Sequence, residues 1–199
     1  MDAAFWNERF SPAEHVYGET PNDFVRQVAS QIPPGPVLCL AEGEGRNAIH
    51  LAARGHRVTA VDQSEVGMAK AQRFASRRGV TIETIVADLA NYFIAPGAWA
   101  GIVATFAHLP ADLRARIHRE IVAGLQSGGV FILEAYTPAQ LAFDTGGPKN
   151  PDLLMTLAAL RKELAGLDFV IAREIERDVV EGRGHTGRAA VVQILTRRT

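Results

Sequence analysis

The feature that most constrains this chain is a rhythm of short apolar runs separated by helix-compatible segments. Val37–Leu40, His56–Val61, Val80–Val86, Ile102–Phe106 and Val130–Ala135 are apolar along most of their length, which suits strands buried on both faces. Between them lie Asn47–Arg54, closed by Gly55; a segment N-capped by Ser64 that runs to Arg78 and stops at Gly79; and Pro110–Leu125, after which Gly128-Gly129 turns the chain into the fifth strand. A looser segment separates the third and fourth strands. Strands alternating with helices imply a parallel, doubly wound α/β sheet covered on both sides.

The two ends break the rhythm. Residues 1–20 read as irregular and aromatic, with Phe5, Trp6, Phe10 and Tyr17, before a helix start at Thr20-Pro21-Asn22 that continues through Phe24, Val25 and Val28. Pro33-Pro34-Gly35-Pro36 ends that helix. Late in the chain, Thr145-Gly146-Gly147-Pro148 reads as a loop, and Asp152–Ala165 as a helix with Leu153, Leu157, Leu160 and Leu164 on one face. Phe169–Arg177 and Ala189–Thr196 then flank the turn Glu181-Gly182-Arg183-Gly184-His185 with no room for a helix, so they are expected to pair as an antiparallel hairpin at the sheet edge. The expected organisation is one domain over 1–199, an N-terminal helix and lid region at 1–32 and a core at 36–199.

The strongest local signal is Ala41-Glu42-Gly43-Glu44-Gly45-Arg46-Asn47, which leaves the first strand and opens the first core helix. Glycines there let a ligand approach the backbone, and the helix N-terminus offers N–H groups; a tight strand-to-helix turn is the plainer alternative. The second strand ends in Val61-Asp62, where a carboxylate can accept from both ribose hydroxyls. The third ends in Val86-Ala87-Asp88-Leu89, where Asp88 can accept from an exocyclic amine such as that of adenine. Three strand ends in register call for an adenosine-bearing cofactor. A nicotinamide dinucleotide is the rival, since Gly43-Glu44-Gly45-Arg46-Asn47-Ala48 also fits the dinucleotide fingerprint. The short chain leaves no length for a second substrate domain, and the terminal hairpin is not the usual dinucleotide plan.

With these residues in view, the sequence resembles the class I S-adenosylmethionine-dependent methyltransferases. The likeness is carried by Leu40 to Asn47, Val61-Asp62-Gln63-Ser64, Ala87-Asp88-Leu89 and Leu125-Gln126-Ser127-Gly128-Gly129-Val130-Phe131-Ile132-Leu133-Glu134. Within that superfamily it looks most like the tellurite-resistance-type small-molecule enzymes, on Phe5-Trp6-Asn7-Glu8-Arg9-Phe10, Tyr17-Gly18, Pro21-Asn22, Thr105-Phe106-Ala107-His108-Leu109-Pro110 and Glu181-Gly182-Arg183-Gly184-His185. The resemblance implies a Rossmann-like, mostly parallel seven-stranded sheet with a C-terminal antiparallel hairpin, and S-adenosylmethionine as cofactor. It implies that Gly43 and Gly45 pass the methionine moiety, that Asp62 holds the ribose, that Gln63, Asp88 and Leu89 surround the adenine, and that Thr105 lies near the sulfonium, with Asn47 and Ser64 as further cofactor-binding residues. The superfamily often has an acidic residue where Cys39 stands and a glycine where Ala41 stands, so Glu42 is expected to supply the carboxylate facing the methionine ammonium. Trp99-Ala100-Gly101 replaces the usual aromatic–aspartate pair of the fourth strand.

On the acceptor side, His108 is a candidate base or acceptor contact, or else a helix cap or packing residue. Glu134 and Tyr136 leave the fifth strand beside it, Glu134 either orienting an acceptor or pairing with an arginine. By the resemblance, His185 and Arg188 in the hairpin reach over the acceptor. Trp6, Arg9 and Tyr17 are candidate lid and substrate residues, and 145–149 is a second candidate lid. A net charge of -1 recruits neither nucleic acid nor membrane, and the arginine groups 73/77/78, 114/116/119 and 197/198 read as solvated faces. The single cysteine, Cys39, reads as a packed core thiol, and the scattered histidines give no metal-ligand spacing. Neither a signal peptide nor a membrane span is legible, so the expected location is the cytoplasm. The expected activity is methyl transfer to a small nucleophile, soft or anionic, such as a thiol or chalcogen oxyanion. A non-catalytic S-adenosylmethionine-binding module and an NAD-dependent oxidoreductase are the alternatives, and either a monomer or a homodimer fits.

Overall fold

Most of the helices begin where a side-chain oxygen accepts from one of their first N–H groups. The computed structural model describes residues 2–143 and 145–199. Asn22 caps α2 (Asp23–Val28) by accepting from Val25 N, and Ser64 caps α4 (Glu65–Arg77) by accepting from Gly67 N. Between them α3 (Arg46–Ala53) starts at Gly45, which has no side chain to offer and a φ of 90°. Glu42 stands in: its Oε1 accepts from both Asn47 N and Ala48 N at 2.8 Å.

The strands are β1 (Pro36–Leu40), β2 (Arg57–Asp62), β3 (Glu83–Val86), β4 (Trp99–Thr105), β5 (Leu125–Tyr136), β6 (Asp168–Glu181) and β7 (His185–Arg197), joined late in the chain by α5 (Ala111–Gly124) and α6 (Leu157–Glu163). They form one seven-stranded sheet in the order β3-β2-β1-β4-β5-β7-β6. The first five are parallel, while β7 runs antiparallel to both β5 and β6. The anticipated doubly wound sheet with a terminal hairpin is therefore what forms. Alternate residues of each strand feed opposite sides. Val37 and Cys39 join Phe24, Leu51 and Phe74 under α2, α3 and α4, whereas Leu38 and Leu40 join Ile117, Ile121 and Leu160 under α5 and α6. Each such side chain taken from water contributes about 1.5–3 kcal/mol. Cys39 is a fully buried core thiol whose pKa burial pushes up.

Several boundaries differ from the sequence reading. The N-terminal stretch is not irregular: Ala3–Phe10 is a helix, α1, N-capped by Asp2, whose side chain accepts from Phe5 N. The expected helix 152–165 is split. A 3-10 turn at Pro151–Leu153 comes first, and α6 restarts at Leu157 because Thr156 caps it from Ala159 N. β3 begins at Glu83 rather than Val80, and β5 begins at Leu125, before Gly128-Gly129. Arg114 is not on a solvated face. It is buried against Glu163, with Nη2 to Oε1 at 2.8 Å, and His118 Nδ1 lies 2.6 Å from the same carboxylate. Burial works against that carboxylate's charge, but the His118 and Arg114 contacts prevail and hold its pKa at about 2.

Candidate active site

The strand order reverses between β1 and β4, and the carboxyl ends of strands flanking such a reversal leave a crevice. Here a cavity of about 510 Å³ opens at that point. Its floor is the β1–α3 loop, and its walls are the ends of β2, β3 and β4. Two non-glycine residues on its lining hold left-handed backbone, Ala41 at φ 50° and Phe106 at φ 52°. Such conformations cost of order 1–3 kcal/mol and persist where surrounding structure fixes them. Phe106 is fixed by its N–H, which donates to Glu134 O at 2.8 Å. Gly43 has φ 61°, and a Cβ there would meet the Phe10 ring at 3.0 Å, so a larger residue would lift α1 from the loop.

Along the first half of the cavity, carboxylates come from three separate elements. Asp62 accepts from Gly43 N at 2.9 Å and Ser64 N at 2.8 Å, one on each oxygen, which leaves further lone pairs for a ligand. Burial raises its pKa, and those two N–H groups pull the other way. Burial likewise lifts Glu42 to about 7 against the Ala48 N–H, Arg46 and the Asn47 N–H, and its Oε2 carries no hydrogen-bond partner among the described residues. Asp88, on the surface of the β3 loop, accepts from Ala90 N at 2.8 Å beside the buried Leu89. Asn47 Nδ2 donates to Thr105 Oγ1 at 2.9 Å, which ties α3 to the end of β4. A hydroxyl diol, an amine and an adenine-sized plane have complementary groups here, so the residues fit an adenosyl cofactor with a methionine tail.

The second half is aromatic. The Phe106 ring lies 4.7 Å from both Tyr136 and His185, and Tyr17 lies 4.5 Å from His185. Nδ1 of His108 lies 2.9 Å from Leu153 O, a contact that requires the proton on Nδ1 and leaves Nε2 as a buried acceptor with no partner among the described residues. Burial drives the His108 pKa down to about 4, against the raising effect of that carbonyl, so the imidazole is neutral. Burial also lowers His185, although nearby Glu181 opposes it. A strap formed by α1 and the segment after it runs from the β1–α3 loop to this half. Trp6 stacks on Phe10 at 5.5 Å, and Arg9 Nε donates to Tyr17 Oη at 3.3 Å. The strap is fastened by Lys70 of α4, whose Nζ donates to the carbonyl oxygens of Phe10, Pro12 and Glu14 and pairs with Glu44. At its far end Val16 O accepts from Gly184 N in the hairpin turn.

Of the residues anticipated from sequence, Glu42, Gly43, Asn47, Asp62, Gln63, Asp88, Leu89, Thr105, Trp6, Arg9, Tyr17, His108 and His185 line this one cavity, as do Gly146, Gly147 and Pro148 of the second candidate lid. Five others do not. Gly45 faces α4, where a Cβ would come within 2.6 Å of Ala71 Cβ, so its smallness serves helix packing. Ser64 caps α4 and its hydroxyl lies 2.6 Å from Asn7 Oδ1. Glu134 is fully buried behind the wall with Asn22, Gln193 and Arg177. Tyr136 is also fully buried, backing Phe106 and His185. Arg188 points outward from the hairpin to Glu176 at 3.2 Å, with half of each side chain exposed. Conversely, Phe10, Phe106 and Arg46 line the cavity without having been singled out. Phe106 and Arg46 lie within the motifs but were given no role in the site, because nothing local marks the left-handed turn of the one or the distant partner of the other.

Among the described residues no helix is long and apolar enough to cross a membrane, and no group of His, Cys, Asp and Glu has metal-binding geometry. Comparison with known proteins bears on the same region. A family model described as a methyltransferase domain matches residues 37–129, which hold β1 to the start of β5. A 2-heptyl-1-hydroxyquinolin-4(1H)-one methyltransferase of Mycobacteroides abscessus is 31% identical over 57% of this chain and 52% of its own length. An uncharacterized methyltransferase of Bacillus subtilis, YbaJ, is 28% identical over 70% of this chain and 52% of its own. The chain thus spans about half the length of these curated relatives. TehB from Haemophilus influenzae superposes with a TM-score of 0.73 at 20% identity, covering 99% of this chain and 67% of that one. A TehB-like protein from Corynebacterium glutamicum gives 0.64 at 18%, covering 99% and 96%. The segment that matches the methyltransferase domain model holds the glycine loop, Asp62, Asp88 and Thr105, and the fold of the whole chain is similar to that of these solved structures.

Proposed function

We propose that this protein transfers a methyl group from S-adenosylmethionine to a small-molecule nucleophile held in the aromatic half of the cavity. The observation that carries the reading is the convergence of the β1–α3 loop, Asp62, Asp88 and Thr105 on one cavity whose remaining wall is Tyr17, Phe106, His108 and His185. When bound, the cofactor supplies an electrophilic methyl on a sulfonium that departs as a neutral thioether. In this assignment Asp62 takes the ribose hydroxyls, Asp88 and Leu89 the adenine, Gln63 the purine edge, and Glu42 Oε2 the methionine ammonium. Gly43 and Asn47 shape the passage for the methionine chain, and Gly45 and Ser64 support it from behind. Thr105 stands where β4 meets the aromatic half.

Such a displacement needs alignment and exclusion of water more than it needs strong acid or base. The strap of Trp6, Arg9 and Tyr17 and the Gly146-Gly147-Pro148 loop suit that task. A thiol or a chalcogen oxyanion is a suitable soft acceptor, and His108 and His185 are the side chains placed to meet it. Arg188 is positioned too far out to contribute except through Glu176. The name of the Mycobacteroides abscessus relative adds a hydroxylated heteroaromatic to the classes worth assaying.

Calorimetric titration with S-adenosylmethionine, S-adenosylhomocysteine and NAD tests the first step. Micromolar binding of the first two with none of NAD is expected, and binding of NAD alone refutes the assignment. Methyl transfer from labelled cofactor to a panel of thiols, hydroxyaromatics, tellurite and selenite then reads the second.

A further inference from the structure

Glu181, at the end of β6, is almost wholly buried although it is charged. It accepts from Asn22 Nδ2 at 2.8 Å and from Arg46 Nη2 at 2.5 Å, and Arg177 Nη2 lies 3.3 Å away. Arg177 and Asn22 are shared with Glu134. The cluster therefore gathers Glu134, Gln193, Arg177, Glu181, Arg46 and Asn22 from β5, β7, β6, α3 and the approach to α2. Burying it is costly, and an apolar replacement is often no less stable, so such a cluster fixes geometry rather than adding stability. What it fixes is Glu181 beneath His185. Against burial, the contacts from His185, Arg46 and Arg177 hold the Glu181 pKa at about 2, so it is a carboxylate at any working pH.

His185 closes the arrangement. Its Nδ1 is buried without a hydrogen-bond partner among the described residues and lies 3.9 Å from Glu181 Oε2. The ring lines the cavity, so Nε2 is the nitrogen left to face a bound molecule. That separation is roughly 1 Å beyond a hydrogen bond, a gap that catalytic contacts commonly close only when substrate is present. The hairpin tip cannot drift away: a Cβ on Gly184 would fall 2.3 Å from the Tyr17 ring, and one on Gly182 2.3 Å from Val16 O.

We propose that Glu181 positions His185 to take the proton from a neutral, planar aromatic alcohol or thiol seated among Tyr17, Phe106 and His185, an inference that rests on the methyltransferase reading above. Glu181 accepts from Nδ1–H, which fixes the tautomer with the lone pair on Nε2. As the acceptor's oxygen or sulfur bonds to the methyl carbon, the carbon–sulfonium bond breaks and its electron pair stays on sulfur. The acceptor's proton moves to Nε2, and the imidazolium formed is stabilised by the carboxylate until it releases the proton to solvent. An acceptor that is already anionic has no use for this pair.

The full chain is first titrated with S-adenosylhomocysteine, so that a failure of cofactor binding is scored against the methyltransferase reading alone. Turnover is then measured near pH 8 with 2-naphthol, whose hydroxyl is protonated there, and with 4-nitrothiophenol, which is already a thiolate. The wild type is expected to methylate both. Glu181→Gln and His185→Gln are each expected to lose about 10²-fold with 2-naphthol and less than about threefold with the thiolate, the range a general base supplies. His185 is also faced by Arg46, Arg9, Tyr17, Tyr136 and His108, none of which Glu181→Gln removes. In NMR titration that variant should therefore lower the His185 pKa through loss of the one carboxylate. Should Glu181→Gln fail to fold, the His185→Gln ratio decides. Equal losses on the two acceptors overturn the proposal, as does a wild type that binds S-adenosylhomocysteine but leaves 2-naphthol unmethylated.

Discussion

Replacing Lys70 with methionine should release the strap that covers the cavity. Methionine matches the lysine stem in bulk, so the perturbation is the loss of the ammonium. Lys70 is 6% exposed; its ammonium donates to Pro12 O at 2.7 Å, Glu14 O at 2.9 Å and Phe10 O at 3.2 Å, and it pairs with Glu44 Oε1 at 2.5 Å. Removing one partner of a buried ion pair costs about 3–5 kcal/mol, and the carbonyls lose a charged donor besides. The strap can instead lift and rehydrate these groups, so the loss is capped by its docking free energy. A decrease of about 3 kcal/mol in urea-unfolding free energy is expected, with m little changed. Removing the stranded carboxylate as well, in Lys70→Met/Glu44→Gln, should restore at least about 1 kcal/mol. Hydrogen exchange supplies the local readout, because Gly184 N–H is bonded to Val16 O at 3.1 Å and should exchange faster once the strap lifts. A loss below about 1 kcal/mol together with an unchanged Gly184 amide would refute the reasoning.

Four further outcomes are expected. Asp62→Ala should weaken S-adenosylhomocysteine binding by about 1–3 kcal/mol in calorimetry, since charge-assisted bonds to the ribose disappear; unchanged affinity removes Asp62 from the site. Glu42 is raised from 4.5 to about 7, so its stabilising protonation is complete below 4.5 and lost as pH rises through 7, a change of up to about 3 kcal/mol. Urea titrations of Glu42→Gln against wild type should converge at low pH and diverge in favour of the variant by pH 8. Gly182→Ala puts a Cβ at 2.3 Å from Val16 O on backbone at φ 64°, and thermal melts should show a loss of about 1–3 kcal/mol. Arg188→Ala should leave methyl-transfer kcat/KM within about twofold, because its ion pair with Glu176 is exposed; a tenfold fall would return Arg188 to the site.

The sheet was legible because buried parallel strands must be apolar along their length, and Val37–Leu40 and Val130–Ala135 have no other use for such runs. The half of the cavity proposed to take the cofactor was legible for a related reason: Gly43, Asp62 and Asp88 stand at or just past the ends of strands, so locating the strands locates them. α1 was missed because its eight residues make too short a period to detect, and its Phe10 rests on Tyr17 and the Gly43 loop. β6 and β7 run longer than anticipated because partial exposure of both faces of β6 blurs its alternation. Glu134 was offered both as an acceptor contact and as an arginine's partner, and only the fold decides. Its partners Asn22 and Arg177 lie 112 and 43 residues away in sequence. Arg46 and Glu181 are 135 apart, a separation across which no spacing rule operates.

The order β5-β7-β6 imposes a schedule on synthesis. The ribosome makes β6 before β7, yet among the described residues β6 pairs as a strand with β7 alone. A nascent chain halted after Glu181 therefore carries a complete fourteen-residue strand with nowhere to dock, while β5 still shows an open edge to its surroundings. During that interval β6 is free to pair with the exposed edge of another copy. The His185–Arg197 segment ends the hazard by entering between the two, and the same motion delivers His185 to the cavity. Folding of the sheet and assembly of its aromatic pocket are thus completed in a single late event.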